Sequence, residues 1–395
     1  MKYIMLIPDG MADLPMTELD GMTPMMAAKT PNFEALAEKS LVGSVLTVPP
    51  GMYPGSDVAN MDLLGYDPRK YYTGRGPIES LAMGVPMDSG DVAYRCSLVS
   101  SDGTTMIDNS AGHISTDEAR PLIELLDEKL GTDKRKFFPG VQYRHIMAEK
   151  GGSIDLQTTP PHDFVGQALA GRWPEGSGAE RLKQLMFDSL ELLDGHPVNV
   201  KRREEGKEPG NMIWLWGQGY VPFLPNFLQT YGKVGGVITA VDVVRGLGRA
   251  TGLKIIDVPG ATGYIDTDYA AKANYALTAL DTLDFIYIHV ESPDESGHEG
   301  NLDHKLQAIE DIDKKLLATL RSGMAKRGPY RLLIVPDHKT PISLRTHEEG
   351  PVPFLLFDSE NPHTASHFPF DERAVVEAKT QIDDGTRLIK MLFAS

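Results

Sequence analysis

Ile334–Lys339 reads IVPDHK: an apolar run, RLLIV (Arg331–Val335), stops at Pro336 and delivers Asp337 and His338 side by side. Upstream, FIYIHVESP (Phe285–Pro293) runs into Asp294 and, four residues later, His298. At the N-terminus YIMLIP (Tyr3–Pro8) ends in Asp9. Continuous apolar runs of this length are the pattern of strands buried on both faces of a parallel sheet. Each of the three delivers an acid at its C-terminal end, two with a histidine close by. In an open α/β sheet that edge is where sites are built, so the expectation is a metal centre.

Strand–helix alternation continues on either side of these runs. LVGSVLTV (Leu41–Val48), GGVITAV (Gly235–Val241), KIIDV (Lys254–Val258) and PFLLF (Pro353–Phe357) read as further strands. Thr30 and Pro31 open a helix over NFEALAEK, and helical spacing recurs at 57–65, 241–252, 268–280 and 304–320. The middle of the chain has another texture. YRCSLVSSDGTTMID (Tyr94–Asp108) reads as a hairpin across a DG turn. Ser115 and Glu118 form a capping box opening a helix to about Leu130. FFPGVQYRHIMAEK (Phe137–Lys150) and GSIDLQTT (Gly152–Thr159) suggest more strands, Ala179–Leu193 a helix, and Arg202–Pro209 an exposed loop. The fold class expected is α/β: a doubly wound sheet domain, residues 1–86 and 219–395, interrupted by a smaller α+β domain, residues 87–218.

Two domains also suit a chain of 395 residues. A formal net charge of −16 argues against nucleic acid or an anionic membrane as partner, so a small anionic substrate would need local metal ions or arginines. No run approaches the roughly 18 apolar residues of a membrane span. The chain enters a strand directly, without the regions of a signal peptide. The single cysteine, Cys96, cannot form an internal disulfide and fits a reducing compartment. A cytoplasmic enzyme is expected; a homo-oligomer is compatible with the sequence, which sets no oligomeric state.

Each candidate ligand has an ordinary reading when taken alone. Asp9 could initiate the PDG turn, His347 in LRTHEEG could be a surface-loop histidine, and Ser56 could be a simple helix N-cap. Asp294 and His298 share a face if DESGH is helical. Adjacent Asp337 and His338 would point apart on a regular strand, so the backbone must turn there or each must serve a different ion. Together they are harder to explain, because burying several unpaired charges at one sheet edge is costly. Mixed carboxylate and imidazole ligands suit Mn²⁺, Zn²⁺, Co²⁺ or Fe²⁺ rather than Ca²⁺. Two such ions favour in-line displacement at phosphorus. Ser56 ends the loop PPGMYPGS at the start of a helical pattern, where the dipole favours an alkoxide and a phosphoryl group. The reading is a two-metal phosphoryl-transfer enzyme working through a phosphoserine.

PDG (Pro8–Gly10), PGSDVANMDLLGYDP (from Pro54), YYTGRGPIE (Tyr71–Glu79), GLKIIDVPGATGYIDTDY (Gly252–Tyr269), ESPDESGHEG (from Glu291) and PDHKTPISLRTHEEGPVPF (from Pro336) resemble the cofactor-independent phosphoglycerate mutases. The similarity is to their shorter, archaeal-type branch, within the alkaline phosphatase superfamily, and covers nearly the whole chain. The resemblance implies an alkaline-phosphatase-like sheet domain and interconversion of 3- and 2-phosphoglycerate without added 2,3-bisphosphoglycerate. It implies Ser56 as phosphorylated nucleophile and ligand of one ion, completed by Asp9, Asp337 and His338. Asp294, His298 and His347 would hold the second. Mn²⁺ is the first expectation, with Zn²⁺, Co²⁺ or Mg²⁺ as alternatives.

Substrate carboxylate and phosphate call for cationic partners. The residues expected to bind substrate are Arg95, His113, Arg144, His162 and Lys339, with Arg120 and His145 also available in the insert. His113 stands where the archaeal-type pattern carries Arg, and Lys339 where it carries a small residue. The alternatives are a homoserine kinase of the same branch, a metal-dependent phosphatase or phosphodiesterase, and a non-enzymatic metal protein, which would have no use for Ser56.

Overall fold

Lys2–Pro8 lies between Phe285–Val290 and Tyr330–Ile334, parallel to both. All three are almost wholly buried, which is why they are apolar throughout rather than alternating. Parallel neighbours end at one edge, so the residues following each strand are gathered there.

The computed structural model describes residues 1–88, 90–363 and 368–394. They fall into two units, Met1–Tyr72 with Leu224–Ser395, and Thr73–Phe223. The first is built on an eight-stranded sheet in the order Lys254–Ile255, Gly235–Ile238, Phe285–Val290, Lys2–Pro8, Tyr330–Ile334, Val352–Asp358, Ser40–Val45, Gln381–Ile382. Seven strands share one direction; Val352–Asp358 is antiparallel to both neighbours. The long helix expected over 304–320 is interrupted by a π-helical stretch, Ile312–Leu317. Asp313, buried within it, accepts from the backbone N–H groups of Asn32 (3.3 Å) and Phe33 (2.7 Å). It thereby caps Pro31–Ala37, whose own Thr30 makes no side-chain cap bond.

In the second unit Asp91–Ser101 runs antiparallel between Arg144–Lys150 and Met212–Tyr220, and Arg135–Val141 extends the sheet. Met106–Asp108 closes the DG hairpin, and the Ser115–Glu118 capping box starts Thr116–Leu130. Buried Leu98, Leu122, Leu126, Met186 and Trp214 belong to its core.

Three expectations change here. The unit boundaries lie at 72/73 and 223/224, not at 86/87 and 218/219, because helix Arg75–Met83 packs on the second unit's own strands. Gly76 permits this: a Cβ there would stand 2.8 Å from both the Arg95 nitrogen and the Gly217 oxygen. GSIDLQTT contributes only Leu156–Gln157 to a two-stranded ladder. Arg202–Pro209 is not simply an exposed loop. Helix Pro197–Glu204 carries Arg202 into the interior, where its guanidinium donates to Glu118, to the carbonyls of Ala111 and Gly112, and to that of Glu208. Among the described residues no helix is long and apolar enough to cross a membrane.

Candidate active site

Asp9 follows the central strand, and Gly10 turns the chain away at φ 57°. Gly10 donates its N–H to Asp337 Oδ1 (3.1 Å), and a Cβ there would stand 2.5 Å from Asp294 Oδ1, so the turn must be glycine for both conformation and space. Asp337 is held from several sides. Its Oδ1 also accepts from the His338 N–H (3.0 Å), its Oδ2 from Asn60 Nδ2 (2.7 Å), and its carbonyl from the Thr47 hydroxyl. Tyr287 donates in turn to Asn60 Oδ1 (2.5 Å). These contacts orient the carboxylate while leaving further lone pairs for a cation.

Ser56 is the first residue of helix Ser56–Leu63, preceded by Gly55 as N-cap. It therefore does not fill the ordinary capping role. Its Oγ lies 3.2 Å from His338 Nε2 and 3.5 Å from Asp9 Oδ2. His338 Nε2 is 3.4 Å from Asp9 Oδ1 and 3.7 Å from Asp337 Oδ2. The other His338 nitrogen, Nδ1, meets Thr340 Oγ1 at 3.2 Å, and the same hydroxyl bonds Asp294. The sequence thus brings Asp9, Ser56, Asp337 and His338 together, the backbone turn after Pro336 allowing neighbours 337 and 338 to face one point.

The second constellation grows from helix Ser292–Glu299, whose turn sets Asp294 and His298 on one face. His298 Nε2 is 3.2 Å from Asp294 Oδ2, and His347 Nε2 is 3.5 Å from Asp294 Oδ1. The two imidazole Nε2 atoms approach to 3.0 Å. His298 Nδ1 sits 3.1 Å from the Arg345 carbonyl, a contact that places a proton on Nδ1 and turns Nε2 towards Asp294 and His347.

Charge explains what this edge can hold. Burial, then the carboxylates of Asp337, Asp294 and Glu291, push Asp9 well above the usual carboxylate range. Burial, then Asp294 and Glu295, raise Glu291 to about 8. Burial alone would raise Asp294 and Asp337, but His298 and His347 hold the first well below its ordinary value and His338 holds the second below. His298 rises to about 9 because Asp294 outweighs its burial, while burial lowers His338 and His289 to about 4. Among the described residues, Asp9 Oδ1, Glu291 Oε2, His347 Nδ1 and both His289 nitrogens are buried without a hydrogen-bond partner. Ligand atoms within 4.8 Å of one another form the groups Asp294–His298–His347, Asp9–His289–Asp337 and Asp9–Asp294–His338. Crowded carboxylates and unpartnered imidazoles suit divalent cations, whose charge would relieve the repulsion.

With this geometry in view, the chain can be set beside known proteins. A family model described as 2,3-bisphosphoglycerate-independent phosphoglycerate mutase matches residues 37–199. A probable 2,3-bisphosphoglycerate-independent phosphoglycerate mutase of Geobacter sulfurreducens is 50% identical, over 99% of both chains. The chain belongs to this mutase family. A second mutase, from Methanosarcina mazei, is 45% identical over 100% of each chain. Among solved structures, a Pyrococcus horikoshii protein superposes with TM-score 0.83 at 26% identity, covering 99% of this chain and 96% of the other. The cofactor-independent phosphoglycerate mutase of Thermoplasma acidophilum shares the fold, with TM-score 0.65 at 24% identity over 99% and 98%. These mutase relatives give the homoserine kinase alternative no support.

Mutase chemistry also needs groups that bind an anion. In the second unit, Arg95 is buried, and its Nη1 donates to Glu79 Oε1 (2.5 Å), which also accepts from Arg75 Nε (2.8 Å). Arg75 and Arg95 flank the Trp216 ring, and the His162 ring packs on it at 5.5 Å. Arg144 adds its charge to the field on Glu79. His145 is buried and lowered to about 3, by burial and then by Arg95 and Arg144. His113 lies apart from this cluster's bonds, exposed at φ 51° in the loop before Thr116–Leu130, and Arg120 is exposed on that helix. Lys339 belongs to the first unit and is engaged: its Nζ bonds Glu348 at 2.9 Å, and its backbone bridges Met11, Ala12 and Glu348.

Sequence reasoning missed Arg75, Trp216, Asn60, His289 and Glu291. Arg75 lay in plain sight within YYTGRGPIE. His289 carried a signal too, as an imidazole inside an otherwise apolar strand, two residues from Glu291.

Proposed function

We propose that the chain interconverts 3-phosphoglycerate and 2-phosphoglycerate through a phosphoserine at Ser56. The observation that carries this reading is the Ser56 hydroxyl, placed at a helix N-terminus and turned to Asp9 and His338 instead of capping the helix. Divalent cations, Mn²⁺ first among them, held by Asp9, Ser56, Asp337 and His338 and by Asp294, His298 and His347, would acidify that hydroxyl and neutralise the phosphoryl oxygens. Asp9 and His338 position Oγ for attack on phosphorus. The bond from phosphorus to the substrate's 3-oxygen breaks as the bond to Oγ forms, leaving phosphoserine and glycerate. The bound glycerate then turns to present its 2-hydroxyl, which takes the phosphoryl group back and frees Ser56. N–H groups at the start of Ser56–Leu63 favour the anion in both states.

The glycerate must be retained between the two transfers, or water would complete a hydrolysis instead. Its carboxylate needs partners other than the acids of the sheet edge. Within the second unit, Arg75, Arg95 and Arg144 gather near Glu79, with Trp216 and His162 beside them, and planar donors of this kind suit a carboxylate or phosphate. His113 is a secondary candidate.

The test is direct. The metal-loaded chain given 3-phosphoglycerate alone should produce 2-phosphoglycerate, and rapid acid quenching followed by mass spectrometry should find phosphate on Ser56. Ser56→Ala should lower turnover by at least about 10³-fold while leaving metal content near two ions per chain. Undiminished turnover in that variant would eliminate the phosphoserine route.

A further inference from the structure

We propose that His289 is a direct ligand of the cation held at Asp9 and Asp337. This goes beyond the set Asp9, Ser56, Asp337 and His338, and it rests on reading the sheet edge as a metal centre.

His289 is the penultimate residue of Phe285–Val290 and lies in register with Ile7, two residues before Asp9. Its side chain is fully buried, and neither ring nitrogen has a hydrogen-bond partner among the described residues. A core histidine with no other task would direct at least one nitrogen to a donor or acceptor, because an unsatisfied buried polar group is costly. His289 does not, although Nε2 is only 3.0 Å from Asp9 Oδ2. Near in distance but wrong in direction for a hydrogen bond, the pair has the relation of two ligands of one ion. Donors about 2.1 Å from a cation and at right angles to each other are about 3.0 Å apart. Asp337 completes a triad whose ligand atoms all lie within 4.8 Å.

The alternation of the strand supports this placement. Tyr287, two residues before, shares a face with His289 and reaches Asn60, which orients Asp337. Adjacent positions of one face thus serve the same carboxylate cluster, the first through a hydrogen-bond relay and the second directly. The backbone is anchored as well: the carbonyl of His289 accepts from Lys272 Nζ at 2.9 Å. Glu291 Oε2 is 3.8 Å from His289 Nδ1, beyond hydrogen-bond range, so the carboxylate acts on the ring through its charge alone and Nδ1 stays unpartnered.

The experiment is Co²⁺ titration of the metal-stripped full-length chain, followed by visible absorption and by equilibrium dialysis. Wild type should take up two equivalents with distinguishable spectra. In His289→Ala one equivalent should weaken by at least about tenfold and its bands should change, while the other is untouched. His289→Gln, which retains a polar side chain, should show the same spectral change if His289→Ala folds poorly. Asp294→Asn should weaken the other equivalent, giving each band an owner. Unchanged affinity and spectra in both His289 variants overturn the assignment while leaving the metal centre standing. Failure of wild type to bind Co²⁺ at all overturns the metal centre and the assignment with it.

Discussion

In the unit Thr73–Phe223, each buried charge meets opposite charge or dipoles: buried Glu79 takes buried Arg95 and half-buried Arg75, while buried Arg202 takes half-buried Glu118 and three carbonyl groups. At the sheet edge of the other unit Asp9, Glu291, Asp294 and Asp337 crowd together, and the groups set directly against them are imidazoles, a hydroxyl, the Asn60 amide and backbone N–H groups. The first arrangement is neutralised by the protein's own arginines. The second crowds four acids with no guanidinium bonded to them among the described residues, and among its unpartnered buried atoms are carboxylate oxygens, Asp9 Oδ1 and Glu291 Oε2, where those of Thr73–Phe223 include nitrogens of Arg95 and His145. Buried charge in one region is thus balanced within the framework; in the other it is a cluster of acids and imidazoles of the kind that suits divalent cations.

The largest break in this comparison should come from the self-neutralised side. Glu79→Ala would leave Arg95 buried without its carboxylate, and one-sided removal of a buried pair costs about 3–5 kcal/mol. Urea unfolding of the metal-free protein should register this loss. If the change is under about 1 kcal/mol, solvent or another acid neutralises Arg95, and the contrast between the units is weaker than drawn.

How much of this contrast was legible in the sequence depended on where each charge sat. Asp9, Asp294 and Asp337 stood out because they follow unbroken apolar runs, and parallel pairing alone takes such residues to one edge. Arg202 could not be placed in this way. It occupies a mixed-charge, Pro/Gly-bounded segment, and its burial depends on the carbonyls of Ala111 and Gly112, residues about ninety positions away whose backbones adopt positive φ. The boundary at Thr73 was hidden for a similar reason: GRGPIE reads as a helix of either unit until Gly76 is seen against the strand carrying Arg95. Direction was invisible in PFLLF, whose apolar pattern serves an antiparallel strand as well as a parallel one.

The sheet edge should respond to pH instead, and only when stripped of metal. Glu291 is raised to about 8 and His298 to about 9, so both retain protons in the folded chain after the unfolded chain has released them. The folded state then binds more protons, and stability falls as pH rises from about 6.5 towards 9. His289 and His338, lowered to about 4, are neutral in the folded chain while the unfolded chain still releases their protons near 6.5, so they oppose the decline up to about pH 7.5 and contribute no slope above it. Glu291 alone should cost about 2 kcal/mol between pH 6.5 and 8, at about 1.4 kcal/mol per pH unit. His298, with 35% of its side chain exposed, should add less because solvent screens it. Thermal unfolding with chelator should show the decline, and Mn²⁺ should reduce it to the part owed to Asp62 and Glu372, which burial raises to about 8 and about 7. A metal-free chain whose stability is flat over this range would mean that the edge is already neutralised.

Lys339 sharpens the comparison at its smallest scale. It is a cation beside the crowded acidic edge, directly after His338, and electrostatics alone would assign it to an anionic substrate. Its ammonium nevertheless bonds Glu348, with 17% of the lysine and 33% of the glutamate side chain exposed. The same two residues exchange a backbone bridge, and Lys339 also bridges Met11 and Ala12, so the pair ties the segment after Asp337 to the one carrying His347. A partly exposed pair of this kind is worth less than about 1 kcal/mol. Lys339→Met, which keeps the length of the side chain, should therefore lower stability by no more than that and leave KM for 3-phosphoglycerate within about twofold. Such a result assigns Lys339 to the framework. A KM increase of tenfold or more, about 1.4 kcal/mol of binding, would instead return it to the substrate and show that the Glu348 bond opens on binding.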